Sequence, residues 1–267
     1  MRILLTGRSG QVGWELERRL DDVVATDRSA LDLSDEASIR KVVREARPQV
    51  VINAGAYTTV DKAESEHDLA ARVNGAASGI LAEEAKRLGA LLVHYSTDYV
   101  FDGAKQTPYL EDDAPSPLNA YGASKLEGER RIVASGCRHL ILRTSWVYGS
   151  RGRNFYLTMK AKAGEPLRVV EDQRGVPTSS RFLAEHTGFL IDKKIEGLLH
   201  LVPSGSTTWY GFARAILGEQ AVLTPVASSE YKTAARRPAN SVLDNRRAQA
   251  LLGRALPDWR SVLAALT

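Results

Sequence analysis

Ile3-Leu4-Leu5-Thr6-Gly7-Arg8-Ser9-Gly10-Gln11-Val12-Gly13 opens with a short apolar run and a glycine-rich turn. Apolar residues then recur at helical spacing at Val12, Leu16 and Leu20. The stretch reads as a buried parallel strand, a tight turn and a helix. Gly7 permits the turn, Gly10 lets backbone approach a pyrophosphate, and Gly13 lets helix and strand pack closely. The helix N-terminus adds partial positive charge where phosphates bind.

The alternation continues along the chain. Val23 to Thr26 reads as a second strand, ending at Asp27. Ser34 is expected to cap a helix running to about Ala46, where Pro48 stops the pattern. Val50 to Asn53 is a third strand, Leu69 to Leu88 a long helix closed by Gly89, and Leu91 to Tyr95 a fourth strand. Pro117 to about Val133 is a further helix and His139 to Arg143 a fifth strand. Such alternation specifies an α/β fold with a Rossmann-type, doubly wound parallel sheet. After about Gly149, short elements alternate with Gly and Pro. Leu167 to Val170 and Leu198 to Leu201 are strand candidates, and Ser180 to Ile191 and Trp209 to Leu217 read as helices. We expect residues 1–148 to form a dinucleotide-binding domain. Residues 149–267 then form a smaller C-terminal α/β domain, mainly for substrate, with segments returning to the first.

Composition excludes several functions. The 267 residues carry a net charge of +4, with 43% hydrophobic and 25% charged residues, so the chain reads as an ordinary globular domain. No dense basic stripe argues for nucleic acid. Cys137 is the only cysteine, which rules out an intrachain disulfide and suits a reducing cytosol. The apolar start at Met1 is too short for a signal sequence, and no apolar stretch approaches the ~20 residues of a membrane span. The expected location is cytoplasmic. The five histidines, His67, His94, His139, His186 and His200, show no metal spacing and read as structural.

The chemistry is carried by Tyr121-Gly122-Ala123-Ser124-Lys125. Tyr121 and Lys125 stand one helical turn apart on one face. The ammonium can lower the phenol's pKa and keep it usable as a proton donor. With the glycine loop, this points to nicotinamide-dependent redox chemistry on a carbonyl or alcohol. Asp27 lies at a strand end about twenty residues after Gly7, where a carboxylate binds adenosine ribose hydroxyls; the alternative is a loop cap. Arg28 either pairs with a 2′-phosphate or is a solvated surface residue. A bare Asp favours NADH and an adjacent Arg favours NADPH. Use of both is expected, with NADPH preferred.

Several segments are far more specific. They are GRSGQVGWEL from Gly7, NAGAYTTVDKAE from Asn53, HYSTDYVFDG from His94, NAYGASKLEGE from Asn119 and RTSWVYG from Arg143. DQRGVPT from Asp172, HLVPSGSTTWYGFA from His200 and ARRPANSVLDN from Ala235 complete the set. On these the chain resembles the extended short-chain dehydrogenase/reductases, and within them the dTDP-4-dehydrorhamnose reductase family, over nearly its whole length. The resemblance implies reduction of dTDP-4-dehydro-L-rhamnose to dTDP-L-rhamnose by NAD(P)H, with Thr97, Tyr121 and Lys125 as the catalytic trio. It places Gly10, Gln11, Val12, Asp27, Asp32, Leu33, Ala56, Tyr57 and Thr58 on the cofactor, with Ala54 beside them. Asp98 and Trp146 fall at family sugar positions. A nucleotide sugar also needs cationic donors, so Arg236 and Arg237 are expected at its diphosphate, with Asn154 nearby. The alternatives are core packing for Trp146 and a surface loop for the arginine pair.

Some family members dimerise through Mg²⁺ held by glutamates, one at the position of Glu15. Here the last residues, Val262 to Thr267, supply no carboxylate. No metal is therefore assigned beyond Glu15 as a weak candidate, and monomer and homodimer both stay open. Two rival activities share the fold. A dehydratase needs an acid after the Thr-Asp pair, where Tyr99 stands. An epimerase retains its cofactor and shows no net oxidation. A non-catalytic regulatory subunit is the third alternative, against which the intact trio argues.

Overall fold

The computed structural model describes residues 1–266. Six short apolar strands pair in parallel: β1 (Ile3–Thr6), β2 (Val23–Thr26), β3 (Val50–Asn53), β4 (Leu91–Thr97), β5 (His139–Thr144) and β6 (Gly197–His200). Their order across the sheet is β6-β5-β4-β3-β1-β2. The order in which strands are added reverses between β1 and β3, which opens a crevice beyond their C-terminal ends. Alternate side chains face opposite layers. Leu5, Ile52, Val93 and Leu142 pack on one side, and Leu4, Val51, Leu92 and Ile141 on the other. Each fully buried Leu or Ile contributes about 1.5–3 kcal/mol.

The helices of the layers are α1 (Gln11–Glu17), α2 (Glu36–Ala46), α3 (Ala77–Leu88), α4 (Ala120–Ser135) and α5 (Ser180–Asp192). Several boundaries differ from expectation. Asp35, not Ser34, caps α2 by accepting the Ala37 N–H, while the Ser34 hydroxyl donates to Asp32. The long helix expected from Leu69 to Leu88 is present from His67, but it widens to a π-helical stretch at Ala71–Ala76 between His67–Ala70 and α3. Helix α4 begins after Asn119, whose side chain accepts the Gly122 N–H, rather than at Pro117. The Asn119 side chain satisfies an orphan N–H of the first turn, which fixes the helix start there.

The later part of the chain is interleaved with the sheet. Helix α5 packs on α1, with Leu16, Leu183 and Leu190 in one cluster, and β6 adds a strand beside β5. The remaining elements gather around Phe101, Tyr148, Phe212 and Trp259. The buried Glu129 on α4 accepts from Arg143 on β5 and from the Ser96 hydroxyl, fixing α4 to the strand ends. Among the described residues, no helix is long and apolar enough to cross a membrane.

Candidate active site

The glycine loop leaves no room for side chains. Gly7 has φ +74°, and a Cβ there would stand 2.6 Å from the Gly55 nitrogen. A Cβ on Gly13 would stand 2.2 Å from the Gly7 carbonyl oxygen. The result is a bare backbone cradle at the start of α1, a shape and polarity suited to a dinucleotide's phosphates. The loop walls one end of a cleft of about 600 Å³, together with Gln11, Val12, Ala54, Ala56 and Thr58.

An adjoining recess of about 410 Å³ is lined by Asp27, Arg28, Asp32, Leu33 and Tyr57. Asp27 accepts from the Ser29 N–H (3.0 Å), the Ser29 hydroxyl (2.6 Å) and the Ala30 N–H (3.3 Å). These bonds hold its pKa below the ordinary carboxylate value. Asp27 thus caps its own turn and also lines the recess. Arg28 leans back on Asp32, with Nε 3.3 Å from Oδ2 and its side chain 78% exposed.

The far end of the cleft holds Thr97, Asp98, Tyr121 and Lys125. The Thr97 hydroxyl accepts the Tyr99 N–H at 3.2 Å and donates to Asp98 Oδ1 at 3.0 Å. Asp98 Oδ2 is buried with no hydrogen-bond partner among the described residues, and burial pushes the Asp98 carboxyl up to about 7. Burial also pushes the Tyr121 phenol up to about 12, the Thr97 hydroxyl opposing. The expected lowering of Tyr121 by Lys125 is therefore not found. Lys125 turns its Nζ to His94, 3.1 Å from Nε2, and desolvation lowers the Lys125 pKa to about 8. Tyr121 is protonated at neutral pH, which is the form a proton donor requires.

Trp146 also lines the cleft, in a left-handed conformation with φ +46°. One face of its indole stacks on Trp209, and a Cβ on Gly175 would meet Trp146 Cε2 at 2.4 Å. Three expected substrate residues are not in the cleft lining. Asn154 caps the helix Phe155–Ala161 and donates to Gln11 Oε1 at 2.8 Å. Arg237 is forked onto Asp61 at 2.7 and 2.8 Å. Arg236 is exposed, and its carbonyl accepts from Asn119. Arg153 instead brings an exposed cation to the cleft edge. Glu15 is buried and paired with Arg19 in the turn that follows α1, and no acidic or histidine cluster suited to a metal occurs among the described residues.

The family profile described as RmlD substrate binding domain matches residues 1–267. The chain belongs to this family, that of the dTDP-4-dehydrorhamnose reductases. A dTDP-4-dehydrorhamnose reductase of Burkholderia thailandensis is 45% identical over 97% of this chain and 96% of its own length. One from Escherichia coli K12 is 43% identical over 97% and 95%. The crystal structure of the Bacillus anthracis dTDP-4-dehydrorhamnose reductase in complex with NADP superposes with a TM-score of 0.95 at 36% identity, covering 99% and 98%. As a member of the dTDP-4-dehydrorhamnose reductase family, the chain is an NAD(P)H-dependent oxidoreductase with the Rossmann-type fold expected from its sequence.

Sequence reasoning did not single out Arg153, Trp209 or Gly175 and read His94 as structural; Arg153 and Trp209 line the cleft, Gly175 packs against Trp146 and His94 bonds Lys125. Trp209 and Gly175 meet Trp146 only through tertiary contact. His94 carried a signal, since it sits three residues before Thr97 on a strand facing α4.

Proposed function

We propose that the chain reduces the C4 ketone of dTDP-4-dehydro-L-rhamnose to the alcohol of dTDP-L-rhamnose, using NADPH in preference to NADH. The observation that carries this is the meeting of Thr97, Tyr121 and Lys125 in one cleft with the glycine cradle. NADPH, when bound, supplies the hydride to C4 and leaves as NADP⁺. The Tyr121 hydroxyl gives its proton to the carbonyl oxygen, so hydride and proton together complete the alcohol. Thr97, its hydroxyl turned from Asp98 toward the substrate, donates a hydrogen bond to the same oxygen. Lys125 binds the nicotinamide ribose and offsets the negative charge left on Tyr121. Gly7, Gly10, Gln11, Val12 and Gly13 hold the pyrophosphate, and Asp27 accepts from the adenosine ribose. Ala56 to Thr58 line the path toward the nicotinamide. Asp98 and Trp146 bind the sugar.

The diphosphate needs a cation near the cleft mouth. Arg236 is free to swing there, and Arg153 already lines the cleft, so the two share that role in this reading. Arg237, held by Asp61, shapes the loop that carries Arg236. The decisive assay supplies dTDP-4-dehydro-L-rhamnose with NADPH or NADH and follows loss of the reduced nicotinamide's near-ultraviolet absorbance. Stoichiometric oxidation with formation of dTDP-L-rhamnose supports the assignment. Sugar isomerisation without net oxidation would establish an epimerase instead.

A further inference from the structure

Lys125 and His94 are both buried, 2% and 1% exposed, so no bulk water substitutes for one in bonding the other. The second ring nitrogen, Nδ1, accepts from Asn53 Nδ2 at 3.1 Å. Asn53 Oδ1 in turn accepts from the Thr6 hydroxyl at 2.8 Å. A buried line of polar groups thus runs from β1 through β3 and β4 to the lysine on α4.

A neutral imidazole has one donor and one acceptor. With Asn53 donating to Nδ1, the ring proton lies on Nε2 and points at Lys125, which accepts it only as the neutral amine. When Lys125 is an ammonium it must donate to Nε2. The ring proton then resides on Nδ1, and Asn53 turns its amide to accept it.

We propose that His94 is a positioning residue for Lys125, its tautomer and the Asn53 amide switching with the lysine's charge so that the ammonium keeps its remaining N–H groups toward the cleft. The proposal rests on the reading above, in which Lys125 binds ribose and supports Tyr121. Burial and the neighbouring lysine hold the His94 pKa well below the ordinary value, which keeps the ring neutral. Tyr121 and Glu129 are the ionisable groups facing Lys125 from its own helix, and Asp98 and Tyr99 follow β4. Glu129 is occupied by Arg143 of β5. On the helices around α4, Asp61, Glu64 and Glu84 bond Arg237, the Ala120 N–H and Arg44, and Lys86 donates to the Ser135 carbonyl. His67, Asp68 and Arg72 are exposed.

Two measurements test this. His94→Leu removes the acceptor, and His94→Gln offers an amide oxygen near the place of Nε2. The leucine variant should lose cofactor affinity by roughly ten-fold, the scale of one charge-assisted bond. Its alkaline limb of kcat/KM should move to lower pH, because a desolvated ammonium without an acceptor loses its proton sooner. Glutamine should restore most of both. Independently, nuclear magnetic resonance of the wild-type protein, with histidine labelled in the ring nitrogens, should show the proton moving from Nδ1 to Nε2 as pH passes about 8. The step should vanish in Lys125→Met. A tautomer that stays fixed through that range overturns the proposal, as does a wild-type pH limb in His94→Leu. Wild-type cofactor binding and turnover in Lys125→Met would overturn the catalytic reading itself, and the proposal with it.

Discussion

Trp146 lies flat on Trp209, with ring centroids 3.6 Å apart and planes 6° from parallel. The stack holds an indole whose backbone sits at φ +46°, a conformation that costs a bulky residue about 1–3 kcal/mol and persists only where its surroundings impose it. An aromatic stack contributes about 0.5–1.5 kcal/mol beyond buried area. Trp209→Ala should therefore raise KM for the nucleotide sugar by roughly five-fold while leaving cofactor Kd unchanged. Steady-state kinetics checks this; a lower Tm with normal KM would reduce the stack to core packing.

Gly175 also packs against that ring. Gly175→Ala places a methyl 2.4 Å from Trp146 Cε2, and the indole must move. Overpacking of this kind costs about 1–3 kcal/mol. The expected outcome is a lowered denaturant midpoint together with a raised sugar-nucleotide KM, measured on the same preparation.

Tyr121→Phe should leave cofactor Kd nearly intact and lower kcat by roughly 10²–10⁴-fold, the usual worth of a positioned proton donor. Pre-steady-state nicotinamide oxidation is the measurement. Near wild-type turnover would remove Tyr121 from the chemistry.

Asp98 ionises near pH 7 in the folded chain, against an ordinary value of 3.8, because it is buried. The unfolded chain gives up this proton first, so the group costs stability progressively as pH rises between about 4 and 7. Asp98→Asn should raise Tm above about pH 7 and leave it little changed below about pH 4. Thermal melts across pH read this directly. A pH-independent difference would mean that Asp98 does not titrate in that window.

Arg28 is exposed and only loosely held by Asp32, so it is available to a 2′-phosphate. Arg28→Ala should shift the NADPH to NADH ratio of kcat/KM toward NADH by about ten-fold, one charge-assisted contact discounted for exposure. An unmoved ratio would place selectivity elsewhere in the recess.

The fold and the cleft's two ends were legible because they obey local rules. Glycines at Gly7 and Gly13 are required by backbone approach, the apolar runs by burial, and the Tyr121–Lys125 spacing by one turn of helix. Boundaries were less legible, since Asp35 and Asn119 won their caps through side-chain geometry that neighbouring Ser34 and Pro117 do not offer. The sequence by itself thus determined strand order of appearance, the cradle and the Tyr121–Lys125 pair on which the proposed chemistry rests. Only the tertiary structure decided their state. Burial raised Tyr121 and lowered Lys125 where charge proximity had suggested the opposite for the phenol. Folding spent Arg237 on Asp61 and Asn154 on a helix cap, and it brought His94, Gly175 and Trp209 to the site. The physical reason is that desolvation and the choice among competing partners depend on three-dimensional neighbours, which spacing along a chain does not encode.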